Sequence, residues 1–398
     1  MMSINCNGGK IIVLGGGSRG IFFIRMLVTK IGREVAAIVD NYVEGHDAIR
    51  YRLKEAGIND IPLYCSLEEA LEHTSPEEVN ILFMMTPEWT HLDLFRKAIG
   101  SGFHVFLEKP IATTPEDCKD IYNISITTDK IVQVGFVLRY SPFYQRIKQI
   151  VKSGKLGKIL VIQMNERMTL QHGTAFKRLW HRLKKYTGGF INEKCCHDID
   201  LMCWMMENQA SPCEVFSLGG IGFSCHKNTP LLCAECDLDK CPWRDIGVDS
   251  LKNINGTAYF DATSAGIGKC VFHSDADVYD HQTVNIRFAD GSHGIFTAVA
   301  MSGKHGRDIL IHGTDGYLEG SLEEGIIKYT DYWSNETEIV ELGDLDPHGG
   351  GDYTVVSEFL KCIGSGIKPI STVEDGLRAS LIAFAADKSV ATGLNVKL

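Results

Sequence analysis

The chain has 398 residues, of which 44% are hydrophobic and 23% are charged, as in globular proteins with more than one domain. The formal net charge of -10 argues against a general role in binding nucleic acids or anionic membranes, because both need a basic surface. The first residues show no secretion signal, and no apolar run reaches the ~18 residues of a membrane span. We therefore expect a cytoplasmic protein without nucleic-acid or membrane partners.

The first third of the chain alternates strand and helix patterns. Short apolar runs typical of strands lie at residues 10–15, 34–40, 79–86, 103–110 and 130–137. Helical patterns lie between them, at residues 21–30, 66–73, 91–102 and 114–124. This alternation predicts βαβ units with a parallel sheet, and the continuous apolar runs predict strands that are covered on both faces.

Near residue 157 the pattern changes to longer strands that follow one another directly. These strands lie at residues 158–168, 281–290, 294–302 and 307–313. Helical patterns start near Glu193 and cover residues 352–366 and 373–393. Strand after strand, with turns such as GTDG between them, predicts a mainly antiparallel sheet in the second part of the chain.

A glycine pattern, Gly15-x-Gly17-x-x-Gly20, follows the first predicted strand and opens a helix. In this context the glycines permit a tight turn, a close approach of the backbone to a pyrophosphate, and close packing of the helix on the sheet. We expect Ser18 and Arg19, inside the pattern, to bind the cofactor phosphates together with the helix N-terminus. The alternative is a glycine-rich turn without a cofactor.

Asp40 ends the second predicted strand. A carboxylate at this position binds both hydroxyl groups of an adenosine ribose and repels a 2′-phosphate, which favours NAD over NADP. Arg19 weakens the preference, because an arginine in the glycine turn can also bind a phosphate.

Further motifs together resemble one protein family. They are TPEWTH (86–91), FLEKPIA (106–112), GFVLRYSPFYQRIKQIVKSGKLGKI (135–159), GGFINEKCCHDIDLM (188–202) and HGGGDYTVVSEFLKCI (348–363). In this order they resemble the Gfo/Idh/MocA oxidoreductases, the relatives of glucose–fructose oxidoreductase and inositol dehydrogenase. The resemblance runs from about residue 10 to residue 393 and does not specify a substrate.

The resemblance implies an α/β protein with a Rossmann NAD-binding domain at residues 1–140. It also implies an α+β domain at residues 141–398, with a large, mainly antiparallel open sheet that binds substrate and forms a homodimer or homotetramer. The active site then lies between the two domains. Besides the glycine turn and Asp40, the implied cofactor contacts are Thr86, Pro87, His91, Glu108, Lys109 and Arg139.

Lys109 lies at the carboxyl end of a predicted parallel strand, where open α/β sheets bind ligands. Oxidation of an alcohol needs a hydride acceptor and a base, and a lysine with a lowered pKa can bind the alcohol oxygen and exchange its proton. The resemblance places this lysine in the active site, and Pro110 after it is a candidate for a cis bond. The alternative is a solvated lysine at the end of a strand.

Glu193, His197 and Asp200 have the spacing of residues on one face of a helix. We expect His197 to act as the general base or acid, with Glu193 orienting it or binding a neighbouring hydroxyl group. Asp200 would fix the ring tautomer or serve the structure. Glutamate stands where the best-known family members have aspartate, which leaves its role open. A polar helix that faces water is the alternative, and Cys195 and Cys196 are expected to be packing thiols.

Other polar and aromatic side chains are candidates for substrate binding. They are Tyr140, Trp180, Lys184 and His348. Trp180 would stack on a sugar ring and Lys184 would bind its hydroxyl groups, whereas Tyr140 would line the cleft from the domain junction and His348 from a glycine-rich turn. An exposed basic loop is the alternative for Trp180 and Lys184.

A cysteine-rich insert at residues 222–256 contains a candidate structural zinc site. The ligands of this tetrahedral site would come from Cys225, His226, Cys233, Cys236 and Cys241. An iron–sulfur cluster and a thiol-rich loop without metal are the alternatives.

The leading functional hypothesis is an NAD-dependent oxidoreductase that removes a hydride from a hydroxyl carbon of a sugar, cyclitol or glycoside. The main alternative is an NAD-dependent glycosidase or lyase, which oxidises the sugar transiently and cleaves a glycosidic bond without net redox change. A third hypothesis is a regulator that binds NAD without catalysis, but Lys109 and His197 argue against it.

Overall fold

The computed structural model describes residues 9–75, 78–222, 228–238, 240–244, 268–343, 345 and 348–398. The first sheet contains β1 (Lys10–Leu14), β2 (Val35–Val39), β3 (Leu63–Tyr64), β4 (Val79–Met84), β5 (His104–Leu107) and β6 (Val132–Val134). Its strand order is β3-β2-β1-β4-β5-β6, and every neighbouring pair is parallel. The predicted parallel sheet is therefore confirmed, with central strands that are buried on both faces.

Helices connect these strands as the sequence predicts. They are α1 (Ser18–Arg25), α2 (His46–Glu55), α3 (Leu67–Glu72), α4 (His91–Gly100) and α5 (Pro115–Ser125), and a π-helical segment over Met26–Ile31 extends α1. Side-chain caps determine where α3 and α5 begin. The Ser66 hydroxyl accepts a hydrogen bond from the backbone N–H of Glu69 at 3.1 Å. The Thr114 hydroxyl accepts one from the backbone N–H of Asp117, also at 3.1 Å. Short 3-10 turns lie at Val43–Gly45, Glu88–Thr90 and Val137–Tyr140.

The second sheet has nine strands and is mainly antiparallel. They are β7 (Ile159–Thr169), β8 (Pro212–Gly220), β9 (His281–Phe288), β10 (His293–Ser302), β11 (Asp308–Gly313), β12 (Gly316–Ser321), β13 (Ile326–Asp331), β14 (Thr337–Glu341) and β15 (Val396–Lys397). The order is β14-β13-β12-β11-β7-β10-β9-β8-β15, and β7 with β10 is the parallel pair. Alternating burial along β9 shows that one face is covered and the other is open.

Helices cover one face of this sheet and lead into it. They are α6 (Pro142–Lys152), α7 (Leu170–Gly173), α8 (Ala175–Arg178), α9 (Lys184–Thr187), α10 (Phe190–Glu193), α11 (Cys196–Met206), α12 (Gly351–Ser365) and α13 (Val373–Thr392). Further 3-10 turns lie at Trp180–Arg182, Cys233–Glu235 and Val271–His273. Within the described ranges, no helix has both the length and the hydropathy that crossing a membrane requires.

The predicted single helix that carries Glu193, His197 and Asp200 is wrong. The helix ends at Glu193 and a new one starts at Cys196, so the turn at 194–195 separates the acid from the histidine. Every residue of α11 is buried, because the helix packs between α13 and the second sheet. A buried helix of this kind does not present a polar face to water, so that alternative is also excluded.

The helix α12, close to the end of the chain, packs against the first sheet. The ring of Phe359 lies 5.7 Å from the rings of Phe83 and Phe106, and Val355 belongs to the same buried cluster. The division into residues 1–140 and 141–398 stays a prediction. Whatever the domain boundary is, the second part of the chain supplies a helix to the core of the first.

Candidate active site

The glycine turn has a backbone that only glycine accommodates. Gly15 has a φ of 94°, and a Cβ atom there would lie 2.7 Å from the carbonyl oxygen of Met85. A Cβ atom at Gly20 would lie 1.9 Å from the carbonyl oxygen of Gly15. The turn therefore brings the ends of β1 and β4 and the start of α1 together, at the point where the strand order reverses.

The N-terminus of α1 is open to a ligand. Its cap, Gly17, makes no side-chain hydrogen bond, the first turn contains no acid, and Ser18 is exposed. Asp40 lies beside it at the end of β2, with Oδ2 accepting from the backbone of Gly16 at 2.7 Å. Bare backbone N–H groups for a pyrophosphate, next to a carboxylate for a ribose, fit a dinucleotide.

Thr86 and Pro87 come one residue after the end of β4 and are half-buried beside the glycine turn, in the predicted cofactor region. His91 does not join them. Its ring is 1% exposed, with Nδ1 3.1 Å from the carbonyl oxygen of Ile111 and Nε2 2.9 Å from that of Thr86. The prediction that His91 binds the cofactor is wrong, because the buried ring connects the backbone of Thr86 to that of Ile111 by hydrogen bonds.

Arg19 and Glu108 form an ion pair beside the glycine turn. Arg19 donates from Nε to Glu108 Oε1 at 2.6 Å and from Nη2 to Asp352 Oδ1 at 2.7 Å. The other oxygen of Glu108 accepts from the backbone of Lys109 at 3.0 Å. The predicted phosphate contact of Arg19 and the predicted cofactor contact of Glu108 stay predictions. Both side chains tie the glycine turn to the turn after β5 and to α12.

Lys109 reaches across to the substrate half of the protein. Its peptide bond to Pro110 is cis, as the sequence suggested, and Nζ donates to the carbonyl oxygen of Glu193 at 2.8 Å. Burial alone would lower the pKa of this ammonium. The surrounding ionisable groups outweigh burial and raise the pKa. These groups are Cys196, Glu193, Glu108 and Glu88. The expected lowering is therefore wrong, and Lys109 is a charged hydrogen-bond donor.

The carboxylate of Glu193 pairs with His181. Oε1 lies 3.1 Å from Nδ1 of His181, and the expected role of Glu193 in orienting His197 is not observed. Burial opposes ionisation, but His181 and then the nearby lysines lower the pKa of Glu193 to about 2. The side chain is therefore ionised at neutral pH. Sequence reasoning missed His181, although it lies in the RLWHRLKK segment that supplied Trp180.

His197 is a buried imidazole with a lowered pKa. Burial, then the charge of Lys109 and of other cations, holds the pKa of this imidazole well below its ordinary range. The ring packs 5.8 Å from that of Phe136 and 6.3 Å from that of His348. In the part of the chain that the structure describes, its buried Nδ1 has no hydrogen-bond partner. A neutral and incompletely bonded imidazole can accept a proton.

Asp200 and Arg139 form a structural pair outside the cleft. Arg139 is 1% exposed and donates to both carboxylate oxygens of Asp200, at 2.6 and 2.7 Å, while Asp375 lies 3.0 Å away. The predicted cofactor contact of Arg139 is wrong, as is a role for Asp200 behind the His197 ring. Tyr140 is also buried, with its hydroxyl 3.1 Å from that of Ser371, so it does not line the cleft.

An aromatic cluster joins the two halves beside Glu193. Trp89, which follows β4, packs on Trp180 at 5.0 Å and on Tyr186 at 4.7 Å between ring centroids. Trp180 stays half-buried, so its sugar contact remains a prediction. Lys184 forms an ion pair with Asp387 at 2.7 Å, and its contact with substrate also remains a prediction.

Glu88 is a site residue that sequence reasoning missed. Its side chain is 6% exposed, and its Oε1 is buried without a hydrogen-bond partner within the described ranges. Burial and then the charge of Glu193 raise its pKa well above the ordinary value. The signal was present in TPEWTH, where an acid follows the carboxyl end of a parallel strand, as Lys109 follows the next one.

The thiols of Cys195 and Cys196 are buried, and burial raises the pKa of Cys196 to about 12, which fits the expected packing role.

In the cysteine-rich insert, two of the candidate zinc ligands, Cys225 and His226, lie outside the described residues. The structure describes Cys233, Cys236 and Cys241. The described ranges contain no group of three or more His, Cys, Asp or Glu side chains arranged to hold a metal ion. The zinc site is therefore not supported.

Comparison with known proteins agrees with this architecture. Residues 10–136 match the NAD-binding Rossmann fold of the Gfo/Idh/MocA oxidoreductase family, and residues 148–398 match the C-terminal alpha/beta domain of that family. The protein YteT of Bacillus subtilis is 23% identical over 325 residues, which are 74% of each chain.

Two further relatives are inositol dehydrogenases. The inositol 2-dehydrogenase of Pseudarthrobacter chlorophenolicus is 29% identical over 191 residues, 48% of this chain and 50% of that one. The crystal structure of myo-inositol 2-dehydrogenase from Lactobacillus plantarum has the same fold, with a TM-score of 0.71 and 17% identity, over 98% of this chain and 100% of that chain. The chain belongs to the Gfo/Idh/MocA oxidoreductase family, with an NAD-binding Rossmann domain followed by the C-terminal domain of that family.

Proposed function

We propose that the protein is an NAD-dependent dehydrogenase that oxidises a secondary hydroxyl group of a cyclitol or sugar. The observation that carries the proposal is that Lys109 and His197 stand in one site, where the carbonyl oxygen of Glu193 holds Lys109 Nζ at 2.8 Å and the charge of Lys109 helps to lower the pKa of His197. Lys109 is charged and can donate to the hydroxyl oxygen, whereas His197 is neutral and can accept the hydroxyl proton. This division supplies the base that alcohol oxidation requires and a donor for the oxygen on which negative charge develops.

Each residue has a defined task in the proposed reaction. NAD, when bound, supplies the hydride acceptor. His197 takes the hydroxyl proton, and the ammonium of Lys109 stabilises the negative charge that develops on the oxygen. The Glu193 carbonyl, 2.8 Å from Lys109 Nζ, holds the ammonium in place, while the carboxylate of Glu193 remains on His181.

The preference for NAD over NADP is supported by two side chains. Asp40 directly follows β2 and has its carboxylate on the glycine turn, where a 2′-phosphate would meet like charge. Arg19 was the residue that argued for NADP, but Glu108 and Asp352 occupy its guanidinium. The site therefore has a carboxylate that can bind the ribose hydroxyl groups, and the arginine that could bind a 2′-phosphate is already paired with two carboxylates.

The choice of a cyclitol or sugar is supported by the aromatic cluster and by the relatives. Trp89, Trp180 and Tyr186 provide apolar surface next to the ionised Glu193, and such a combination suits a ring with one apolar face and many hydroxyl groups. Two of the relatives named above are inositol dehydrogenases, which favours a cyclitol.

The test is a substrate panel of cyclitols, aldoses and aryl glycosides, each incubated with NAD or with NADP. We expect NADH in amounts that match the oxidised product for at least one cyclitol or sugar, and much slower reaction with NADP. Release of the aryl group without accumulation of NADH would instead establish redox-neutral glycoside cleavage. Tight NAD binding without any turnover across the panel would contradict hydroxyl oxidation.

A further inference from the structure

His348 stands in a turn before α12 and forms a dyad with Asp352. Its Nδ1 lies 2.8 Å from Asp352 Oδ2, and the other carboxylate oxygen accepts from Arg19 at 2.7 Å. Burial opposes ionisation of Asp352, but His348 and Arg19 outweigh it and lower the pKa of the carboxyl. A carboxylate at Nδ1 fixes the tautomer with the proton on Nδ1, so that Nε2 is the proton-accepting nitrogen.

The neighbouring His197 needs a route for protons. Its side chain is 5% exposed, so a proton taken from a buried hydroxyl group must pass to another group before the next turnover. The His348 ring lies 6.3 Å from it between centroids, while the His348 side chain is 35% exposed. At this separation a single water can bridge the two rings by hydrogen bonds.

The charges around the two rings differ in sign. Cations face His197, namely Lys109, Arg307 and Lys194, and they disfavour a proton there. The carboxylate of Asp352 faces His348 directly, at 2.8 Å from Nδ1, with Arg19 as the cation behind it.

We propose that His348 relays the proton of each turnover between the buried His197 and bulk solvent. In the direction of oxidation, the N–H bond formed on His197 breaks, and the proton crosses one water to form an N–H bond at Nε2 of His348. It then leaves for a buffer base, and both rings return to the neutral state. No electrons move in this step, and Asp352 and Arg19 are positioning residues for the relay. The inference rests on the proposed dehydrogenase activity.

The decisive variant is His348→Gln, assayed with a substrate that the wild type oxidises, in dilute and in imidazole-rich buffer. In dilute buffer kcat should fall at least about 10-fold, as expected for loss of a proton-transfer group, and imidazole should restore much of it. KM and NAD affinity should stay unchanged. The matched control is His281→Gln, because His281 is also paired with an aspartate, at 2.7 Å from Asp280, but is exposed on β9.

Wild-type kcat for His348→Gln in dilute buffer would overturn the relay, and so would a loss that imidazole does not rescue, since that result indicates a structural role. Absence of NADH from the wild type itself would instead overturn the dehydrogenase, and the relay with it. A second measurement does not use turnover. Nitrogen-15 spectra of the labelled histidines should show His348 protonated at Nδ1, and Asp352→Asn should remove that preference; an unchanged tautomer would contradict the dyad.

Discussion

Two clusters of ionisable side chains, one buried and one in the cleft, differ in how completely their groups are paired. The buried cluster comprises Arg139, Asp200 and Asp375, and the cleft cluster comprises Glu88, Lys109, Glu193 and His197. In the buried cluster both carboxylates lie within 3.0 Å of the one guanidinium, which also donates to the carbonyl oxygen of Ile370. In the cleft cluster, the structure shows no hydrogen-bond partner for the buried Glu88 Oε1 or His197 Nδ1 among the described residues.

The difference separates a structural role from a reactive one. A fully paired buried network stabilises one arrangement of helices and has no capacity left for a ligand. In the cleft cluster the pKa of Glu88 is raised and that of Glu193 is lowered, while the pKa of Lys109 is raised and that of His197 is lowered.

The buried cluster also drives pKa values apart, since burial raises the pKa of Asp200 to about 7, whereas at Asp375 burial is outweighed by Arg139, which lowers the pKa. The unpaired atoms Glu88 Oε1 and His197 Nδ1 therefore distinguish the cleft cluster among the described residues. Three substitutions test whether this distinction holds.

Replacement of Lys109 should have the largest effect on activity. Lys109→Ala removes the ammonium that stabilises the developing oxyanion, and we expect kcat/KM to fall about 1000-fold while thermal stability and NAD binding change little. Steady-state kinetics and calorimetric titration with NAD measure both parts. Lys155→Ala is the control, because Lys155 is exposed in a surface pair with Glu338. Full turnover by Lys109→Ala would remove this residue from the proposed site.

Replacement of Arg139 should affect stability instead. Arg139→Met leaves two buried carboxylates without their cation, which typically destabilises a protein by about 3–5 kcal/mol, as denaturant titration would show. The control is Arg146→Met, in a half-exposed pair with Glu338, where a loss of about 0–1 kcal/mol is expected. A variant at Arg139 that keeps its stability but loses NAD affinity would restore the original prediction of a cofactor contact.

Glu88→Gln should have the smallest effect, visible as a change in pH dependence. Unfolded chains ionise glutamate near pH ~4.3, while burial and Glu193 keep folded Glu88 protonated to a higher pH. Between these two pKa values, Glu88 makes the native state less stable as the pH rises, and the variant removes that loss. The Tm of the variant relative to the wild type should therefore rise from pH 5 toward pH 8.

The control for Glu88 has a pH window that lies lower. Lys97 lowers the pKa of the exposed Glu68, so the stability that Glu68 contributes is gained as the pH rises to the unfolded value of ~4.3 and is constant above it. Glu68→Gln should accordingly give a stability curve parallel to that of the wild type from pH 5 to pH 8. Parallel stability curves for Glu88→Gln and the wild type would show that Glu88 is ionised in the folded protein.

Local patterns in the sequence predicted the elements and the first part of the site. The glycine turn, Asp40 and Lys109 were found because strand ends and glycine spacing are read from neighbouring residues. The parallel and antiparallel sheets followed from the same periodicity. These features depend on contacts within a few residues or on the standard order of βαβ units.

Side-chain partners could not be predicted in this way, because distant parts of the chain supply them. Arg19 and Asp352 are separated by 333 positions, so no local sequence pattern predicts that they pair. Arg139 and Tyr140 stand in a motif of the family, yet burial against α13 and α12 decided their roles. The assumption of one continuous helix failed at 194–195 for a similar reason, since tertiary packing sets where α10 stops and α11 starts.

The position of α12 also has a consequence for synthesis of the chain on the ribosome. The aromatic face formed by Phe83 and Phe106 is covered by Phe359 from α12, a contact that spans most of the chain length. The first sheet can pair its strands early, but that face stays uncovered until residues 351–365 have emerged. The nascent chain therefore carries an exposed aromatic surface during much of translation, when chaperone binding or aggregation competes with completion of the fold.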